Sequence, residues 1–408
     1  MAKKRLTRRD MLAAGTGAAL TEVLGIPPQA AAGDKAVKPN VYEALGVKPI
    51  INATGTVTIL GGSLMPAEVV AAWSEAARHF VNIVELHDRV GERIARLIGV
   101  EAALVTTGAA GALLLGAAAV ITRGDAKAIA RLPDTTGLRN EILIQKSHHQ
   151  CYDNQLTDVG ARLVDVETAE DVRRAIGPKT ALMFFLNLAD PAGKIQRKEW
   201  IELARKHEVP TLLDAAADAP PVERLSEYNR MGFDLVAFSG GKALRGPNDA
   251  GLLLGPKHFI AAGKKNANPH CGTIGRMMKV SKEDMVALAA AVERFVHADH
   301  RAEWREWERR IGVIEDALKD IPTVEMERLV PPIANHVPHL QIAWNEERVK
   351  RTRPQVTQDL FDGQPPIQIG RVSGTGDKGI LISVFTLQPG EEKIVAARLR
   401  AILKEAAG

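Results

Sequence analysis

Chemistry concentrates first at a lysine set among small residues, directly behind an apolar run. The stretch is FSGGKALRGPNDAG, Phe238 to Gly251, preceded by DLVA. Lys242 is not the lysine of a phosphate-binding P-loop, because that motif needs glycine at position 236 and serine or threonine at 243, where Val236 and Ala243 stand. A lysine in a partly desolvated pocket loses preference for its charged form and becomes an amine nucleophile toward an aldehyde. Pyridoxal 5'-phosphate (PLP) is such an aldehyde, held as a lysine Schiff base with a carboxylate at its pyridinium nitrogen. Asp214 closes the run PTLLD and precedes Lys242 by about one helical crossover between neighbouring strands. A carboxylate there would keep the ring nitrogen protonated, so that the ring can take up electrons from a substrate carbanion.

A phosphate needs donors. The sequence TTGAAGALLLGAAA follows the apolar run AALV, with residues small enough to bring backbone N–H groups close to an anion at the positive end of a helix. Thr107, Gly108, Ala109 and Ala110 are the candidate cradle, with Ser239 as a hydroxyl donor; an alanine-rich packing face is the competing reading. His148 and His149 end the run EILIQKSHH. Either ring could stack on the cofactor or assist proton transfer, with a slight preference for His148. His297 and His300 are spaced i, i+3 on a long helical pattern and read as structural.

The elements that must position these residues form a regular series. AALVTT, EILIQ, ARLVDV, TALMFFLN, VPTLLDAAA, FDLVAFS and AGLLLG are short β-rich runs separated by helical segments. Apolar strands spaced by helices predict a doubly wound α/β domain around a mostly parallel sheet, whose ligand sits beyond the carboxyl ends of the strands. From Pro66 the apolar spacing predicts two helices, and from Ser281 a long helical region leads to strands HLQIAW and ILISVF and a final amphipathic helix. The expected organisation is an N-terminal segment over 33–65, a large domain over 66–300 and a small α+β domain over 301–408.

With 408 residues, 46% hydrophobic and 25% charged, the chain has an ordinary globular composition. The net charge of +4 is concentrated in residues 1–32, where Lys3, Lys4, Arg5, Arg8 and Arg9 outweigh Asp10 and Glu22. The near-neutral remainder carries no electrostatic footprint for nucleic acid. Residues 1–32 read as a signal peptide, and Thr7-Arg8-Arg9-Asp10-Met11-Leu12 resembles the twin-arginine export motif. This predicts recognition by the twin-arginine machinery and a periplasmic protein; a basic tail on a cytoplasmic protein is the alternative, favoured by Glu22 in the apolar run. No later run approaches the length of a membrane span. Cys151 and Cys271 make no disulfide framework and no CxxC pair, and no metal site is expected.

Taken together, PIINATGTVTILGGSLMP, TLLDAAADAPP, DLVAFSGGKALRGPNDAGLLLG, IGRMMKVSKEDMVAL and LQPGEEKIVAARLRAIL resemble the selenocysteine synthase-like branch of the fold-type I PLP-dependent enzymes. The similarity runs in order from about residue 41 to 405 and is most specific around Lys242. The branch contains bacterial L-seryl-tRNA(Sec) selenium transferase and D-glucosaminate-6-phosphate ammonia-lyase. The resemblance implies Lys242 as the Schiff-base lysine, Asp214 at the ring nitrogen and 107–110 at the phosphate. It also implies homodimers or larger even assemblies, an N-terminal segment bringing Asn52, Thr54 and Gly55 over the site, and Arg276 as a substrate clamp; a surface ion pair is the other reading of Arg276. The selenium transferase carries a tRNA-binding domain ahead of INATG, where this sequence has only the signal-like stretch and linker. The expectation is therefore a lyase or transferase acting by α,β-elimination or β-replacement on a small amino acid or amino-sugar acid. Selenium transfer, transamination and a non-catalytic PLP-fold binding protein are the alternatives.

Overall fold

The computed structural model describes residues 40–370 and 379–407. The export signal expected at residues 1–32, with Arg8 and Arg9, lies outside them. In chain order the strands are β1 (Ile51–Ala53), β2 (Ala102–Thr107), β3 (Glu141–Gln145), β4 (Arg162–Val166), β5 (Thr180–Leu186) and β6 (Thr211–Asp214). They continue with β7 (Leu235–Ser239), β8 (Ala250–Gly255), β9 (Glu325–Leu329), β10 (His339–Ala343), β11 (Ile367–Ile369) and β12 (Ile380–Ser383).

The large sheet runs β2-β8-β7-β6-β5-β3-β4, and β8 alone is antiparallel to its neighbours. Its central strands are apolar on both faces because both faces are covered, while the edge strand β4 exposes Arg162 and Asp165. Successive side chains alternate between two cores. Phe185, Leu213, Val236 and Phe238 enter one, while Phe184, Leu212, Leu235 and Ala237 enter the other. Each fully buried Val, Leu or Phe among them contributes about 1.5–3 kcal/mol.

The two helices predicted after Pro66 are α1 (Ala67–Ala76) and α2 (Ile83–Ile98). Asn82 caps α2 by accepting from the Val84 and Glu85 N–H groups, and the apolar stripe Val90, Ile94, Ile98 packs into the first core. The helix α3 (Gly108–Thr122) is buried from Gly111 to Thr122. Its small residues let it lie close on the sheet: a Cβ on Gly116 would come within 3.3 Å of the Leu212 methyls. Against it packs α4 (Lys257–Asn266). The long helical region divides into α5 (Lys282–His297) and α6 (His300–Leu318), separated by Asp299, which caps α6.

A third core, including Trp307, Ile311, Ile342 and Ile382, lies in the C-terminal part. It is covered by the sheet β12-β10-β9 and the final helix α7 (Glu391–Ala407). Ile51 and Ala53 belong to this core, because β1 pairs in parallel with β11. The N-terminal segment, expected only as extended chain over the site, is thus anchored in the C-terminal unit. Among the described residues, no helix is long and apolar enough to cross a membrane.

His87 on α2 is buried with neither ring nitrogen hydrogen-bonded. Burial, assisted by Lys264, lowers its pKa to about 4. Its folded-state pKa lies below the unfolded value, so the associated stability is present above about pH 6.5 and is lost as pH falls toward 4. His87→Leu should flatten that acid loss by up to ~1.4 kcal/mol per pH unit. Denaturant midpoints measured from pH 7 to 4 check this; an unchanged slope would contradict it.

Candidate active site

One edge of the large sheet collects the predicted residues. Because β8 runs opposite to β2 and β7, its first residues lie beside their last ones: Thr107 pairs with Ala250, and Ser239 with Gly251. On the far side of β7, Asp214 pairs with Ala237. The ends of β2, β7 and β6 and the start of β8 therefore form one rim, and Lys242 is on the loop that turns from β7 back into β8.

That loop folds tightly on itself. The Gly240 N–H donates to Ala250 O at 2.7 Å, the Gly246 N–H to Gly240 O at 2.9 Å, and the Arg245 N–H to Lys242 O at 3.0 Å. A Cβ on Gly241 would lie 2.4 Å from Asn248 Cα, and one on Gly240 2.8 Å from Ala250 O. The glycines around Lys242 are required by the loop's own backbone. Arg245 takes up the left-handed conformation, with φ of 58°.

Lys242 lines a cavity of about 580 Å³ between the large sheet and the C-terminal unit, with Thr54, Gly55, Tyr152, His339 and Ser383. Burial pushes its ammonium pKa down, partly offset by Asp214 and Asp218. No carboxylate forms an ion pair with it among the described residues. Asp214 is 7% exposed. Burial raises its pKa, opposed by the Ala216 N–H, by Lys242 and by Gln150. Its Oδ1 accepts from the Ala216 N–H at 2.9 Å and its Oδ2 from Gln150 Nε2 at 3.2 Å. It is a buried carboxylate held by two donors with no ion-pair partner among the described residues, the arrangement that a cationic ring nitrogen complements.

The candidate phosphate cradle is at the start of α3. Thr107 makes no side-chain cap, so the first N–H groups of the helix remain free for an anion. Gly108 has φ of 64°, and Thr107 to Ala110 are half-buried. Gly251 presses on this turn from β8: a Cβ there would meet the Gly108 carbonyl carbon at 2.2 Å. Ser239 is half-buried beside it. The small residues thus serve both earlier readings, packing along the body of the helix and an open donor set at its start.

His148 departs from the expected role. Its ring is fully buried, edge-on to Phe185 at 4.4 Å, with Nδ1 accepting from the Leu186 N–H at 3.2 Å. It fills the space beneath the end of β5 and does not stack over the rim. His149 faces elsewhere, bonded to Asp153 at 2.5 Å and Asp165 at 2.9 Å. His300 is structural as expected, with Nε2 2.8 Å from Phe295 O. Arg276 is exposed and does not line the cavity. Asn52 acts locally: its Oδ1 accepts from the Thr54 and Gly55 N–H groups and its Nδ2 donates to Gly55 O at 2.9 Å. This turn presents Thr54 and Gly55 to the cavity.

Several residues of the site lie outside the strand-end pattern of the sequence. Gln150, just past the two histidines, orients Asp214. Asp218, in the loop that follows Asp214 in DAAAD, is buried and accepts from Tyr228 Oη at 2.8 Å and from Asn187. The repeated aspartate was the available signal. His339 and Ser383 enter from the C-terminal strands, which sequence alone could not bring to the rim.

A family model described as L-seryl-tRNA selenium transferase matches residues 50–306, more than half of the chain. The chain belongs to the L-seryl-tRNA selenium transferase family. It is 30% identical over 385 residues to D-glucosaminate-6-phosphate ammonia lyase of Salmonella typhimurium, covering 90% of this chain and 99% of that one. A solved D-glucosaminate-6-phosphate ammonia-lyase structure matches with a TM-score of 0.78 at 27% identity, over 91% of this chain and 100% of that one. L-seryl-tRNA(Sec) selenium transferase of Geotalea uraniireducens is 29% identical over 69% of this chain and 61% of that one. Serine palmitoyltransferase of Sphingomonas wittichii shares the fold, with a TM-score of 0.54 at 14% identity and 88% of each chain covered. The architecture is that of the fold-type I PLP enzymes, and the chain is a PLP-dependent member of the family.

The residues present fit that cofactor. An unpaired buried carboxylate, a desolvated amine and an uncapped helix start share one rim, complementary to a ring cation, an aldehyde and a phosphate in turn. Gly251→Ala should displace the start of α3 and lower PLP affinity at least tenfold, with a stability loss of about 1–3 kcal/mol. A PLP titration followed by absorbance, alongside denaturant unfolding, checks this; wild-type affinity would show that the turn is not part of the cradle.

Proposed function

We propose that the chain catalyses α,β-elimination on a hydroxylated amino acid of the amino-sugar acid class, releasing ammonia and a keto acid. The observation that carries this reading is the similarity over nearly the whole length of an ammonia lyase, with Lys242 and Asp214 at adjacent strand ends. Selenium transfer on aminoacyl-tRNA has less support. Most of the net charge of +4 falls in residues 1–32, and the near-neutral remainder has little to attract tRNA.

PLP, when bound, supplies an aldehyde that joins an amine and a ring that takes up the electrons of a Cα carbanion. Lys242 is the base: desolvation favours its neutral amine, so Nζ can take the Cα proton and return a proton to the departing β-hydroxyl, which leaves as water. Asp214 provides a fixed negative charge at the rim. Gln150 and the Ala216 N–H hold both of its oxygens, so its orientation costs no reorganisation during the reaction. Thr54 and Gly55, set by Asn52, cover the cavity from the N-terminal side and limit water access.

Lys242→Ala should lose at least a thousandfold in kcat, and Asp214→Asn a hundredfold or more, with wild-type unfolding curves. The assay is ammonia release from D-glucosaminate, D-glucosaminate 6-phosphate and D-serine with no added keto acid. Conversion of an added keto acid to its amino acid, with no free ammonia, would replace elimination by transamination. An unchanged rate in Lys242→Ala would end the mechanism.

We further propose a homodimer or larger even assembly. Ile59 at 91%, Phe80 at 103% and Met277 at 81% exposure are large apolar side chains in the open, and Ile59 lines the same cavity as Lys242. A second copy covering them would also close the site. Sedimentation should give at least twice the 44.0 kDa chain mass, and Phe80→Asp should shift the protein toward the single chain. A wild-type monomer would contradict the assembly.

A further inference from the structure

The cavity wall opposite Lys242 has a polar face of its own. In β12, Ile380 and Ile382 enter the third core, so the alternate residues Leu381 and Ser383 point away from it and line the cavity. In β10, Leu340 and Ile342 enter the same core, and His339 lies on the cavity side. His339 and Ser383 are cross-strand partners.

His339 is 6% exposed and Ser383 2%. His339 Nδ1 lies 2.7 Å from Val337 O. A carbonyl oxygen only accepts, so the ring proton sits on Nδ1 and Nε2 carries a lone pair. Nε2 has no hydrogen-bond partner among the described residues, and neither has Ser383 Oγ. Burial favours the neutral ring, against a smaller opposing effect of the Val337 bond. The face therefore offers one obligate acceptor beside one hydroxyl that can donate or accept. Ser383 is also close to the N-terminal turn, 3.6 Å from where a Cβ on Gly55 would stand.

Both residues open on the cavity, where a substrate group can reach them, and a site built to bond a hydroxyl rejects the analogue that lacks one. We propose that His339 and Ser383 form a specificity subsite that reads hydroxyl groups beyond the β-carbon of the substrate, with His339 Nε2 accepting from one of them. This rests on the elimination reading above and narrows its substrates to polyhydroxylated amino acids. His339 is a specificity residue, and the proton transfers stay with Lys242.

Two measurements test it. In steady-state kinetics, His339→Leu should raise KM for D-glucosaminate about tenfold or more with kcat within twofold, while KM for D-serine, which has no hydroxyl beyond its β-carbon, changes less than twofold. His339→Gln, whose amide oxygen can stand near the place of Nε2, should recover most of the loss. Equal shifts for both substrates, or none for either, would overturn the subsite. Independently of turnover, diethyl pyrocarbonate acylates an unprotonated Nε2. Peptide mass mapping of the PLP-loaded wild type should show His339 protected by D-glucosaminate and not by D-alanine. Protection by both or by neither overturns the proposal. Selective protection without ammonia release would sustain the subsite and refute elimination.

Discussion

A desolvated amine and a desolvated carboxylate, set on neighbouring strand ends without an ion pair between them, are the constraint on which the rest of the molecule depends. In the rim each disfavours its own charged form: burial pushes Lys242 down and Asp214 up. Such groups would find each other or find water if the surroundings were soft. They stay apart because Asp214 is fixed through two donors and Lys242 sits on a loop whose glycines leave no room to relax. The site is thereby organised for a partner bearing both an electrophilic carbon and a cationic ring atom.

The scaffold serves this rim. The central strands, buried on both faces, give a rigid edge, and reversal of β8 brings its start between the ends of β2 and β7. The close approach of Gly251 to Gly108 joins the floor of the rim to the helix that would hold a phosphate. The opposite wall belongs to the C-terminal unit. The pairing of β1 with β11 ties the Asn52 turn to that unit, so Thr54, His339 and Ser383 face the lysine together. Chemistry comes from the large sheet, and the groups positioned to choose the substrate come from the other side.

Much of this was legible in the sequence because the large domain is locally consistent. Its central strands are apolar, its helices are capped at Asn82, Ser281 and Asp299, and the groups at strand ends fall on one edge once parallel pairing is assumed. Lys242, Asp214 and the start of α3 followed from that pattern. What failed was side-chain direction. His148 has the right position at the end of β3 but turns beneath Phe185, because an apolar core lies on that side and the Leu186 N–H needs an acceptor. Arg276 follows a turn whose orientation no periodicity encodes. The charged β9 was missed because its alternation is mostly polar on an exposed edge, and Gln150 and His339 reach the site through contacts far apart in sequence.

The most direct test of the central claim is borohydride reduction of PLP-loaded wild-type protein followed by peptide mass analysis. The account predicts one pyridoxyl phosphate group per chain, on the peptide containing Lys242, with loss of the visible absorbance band and no such label in Lys242→Ala. Label on another lysine, or a band and label that persist in Lys242→Ala, would contradict it.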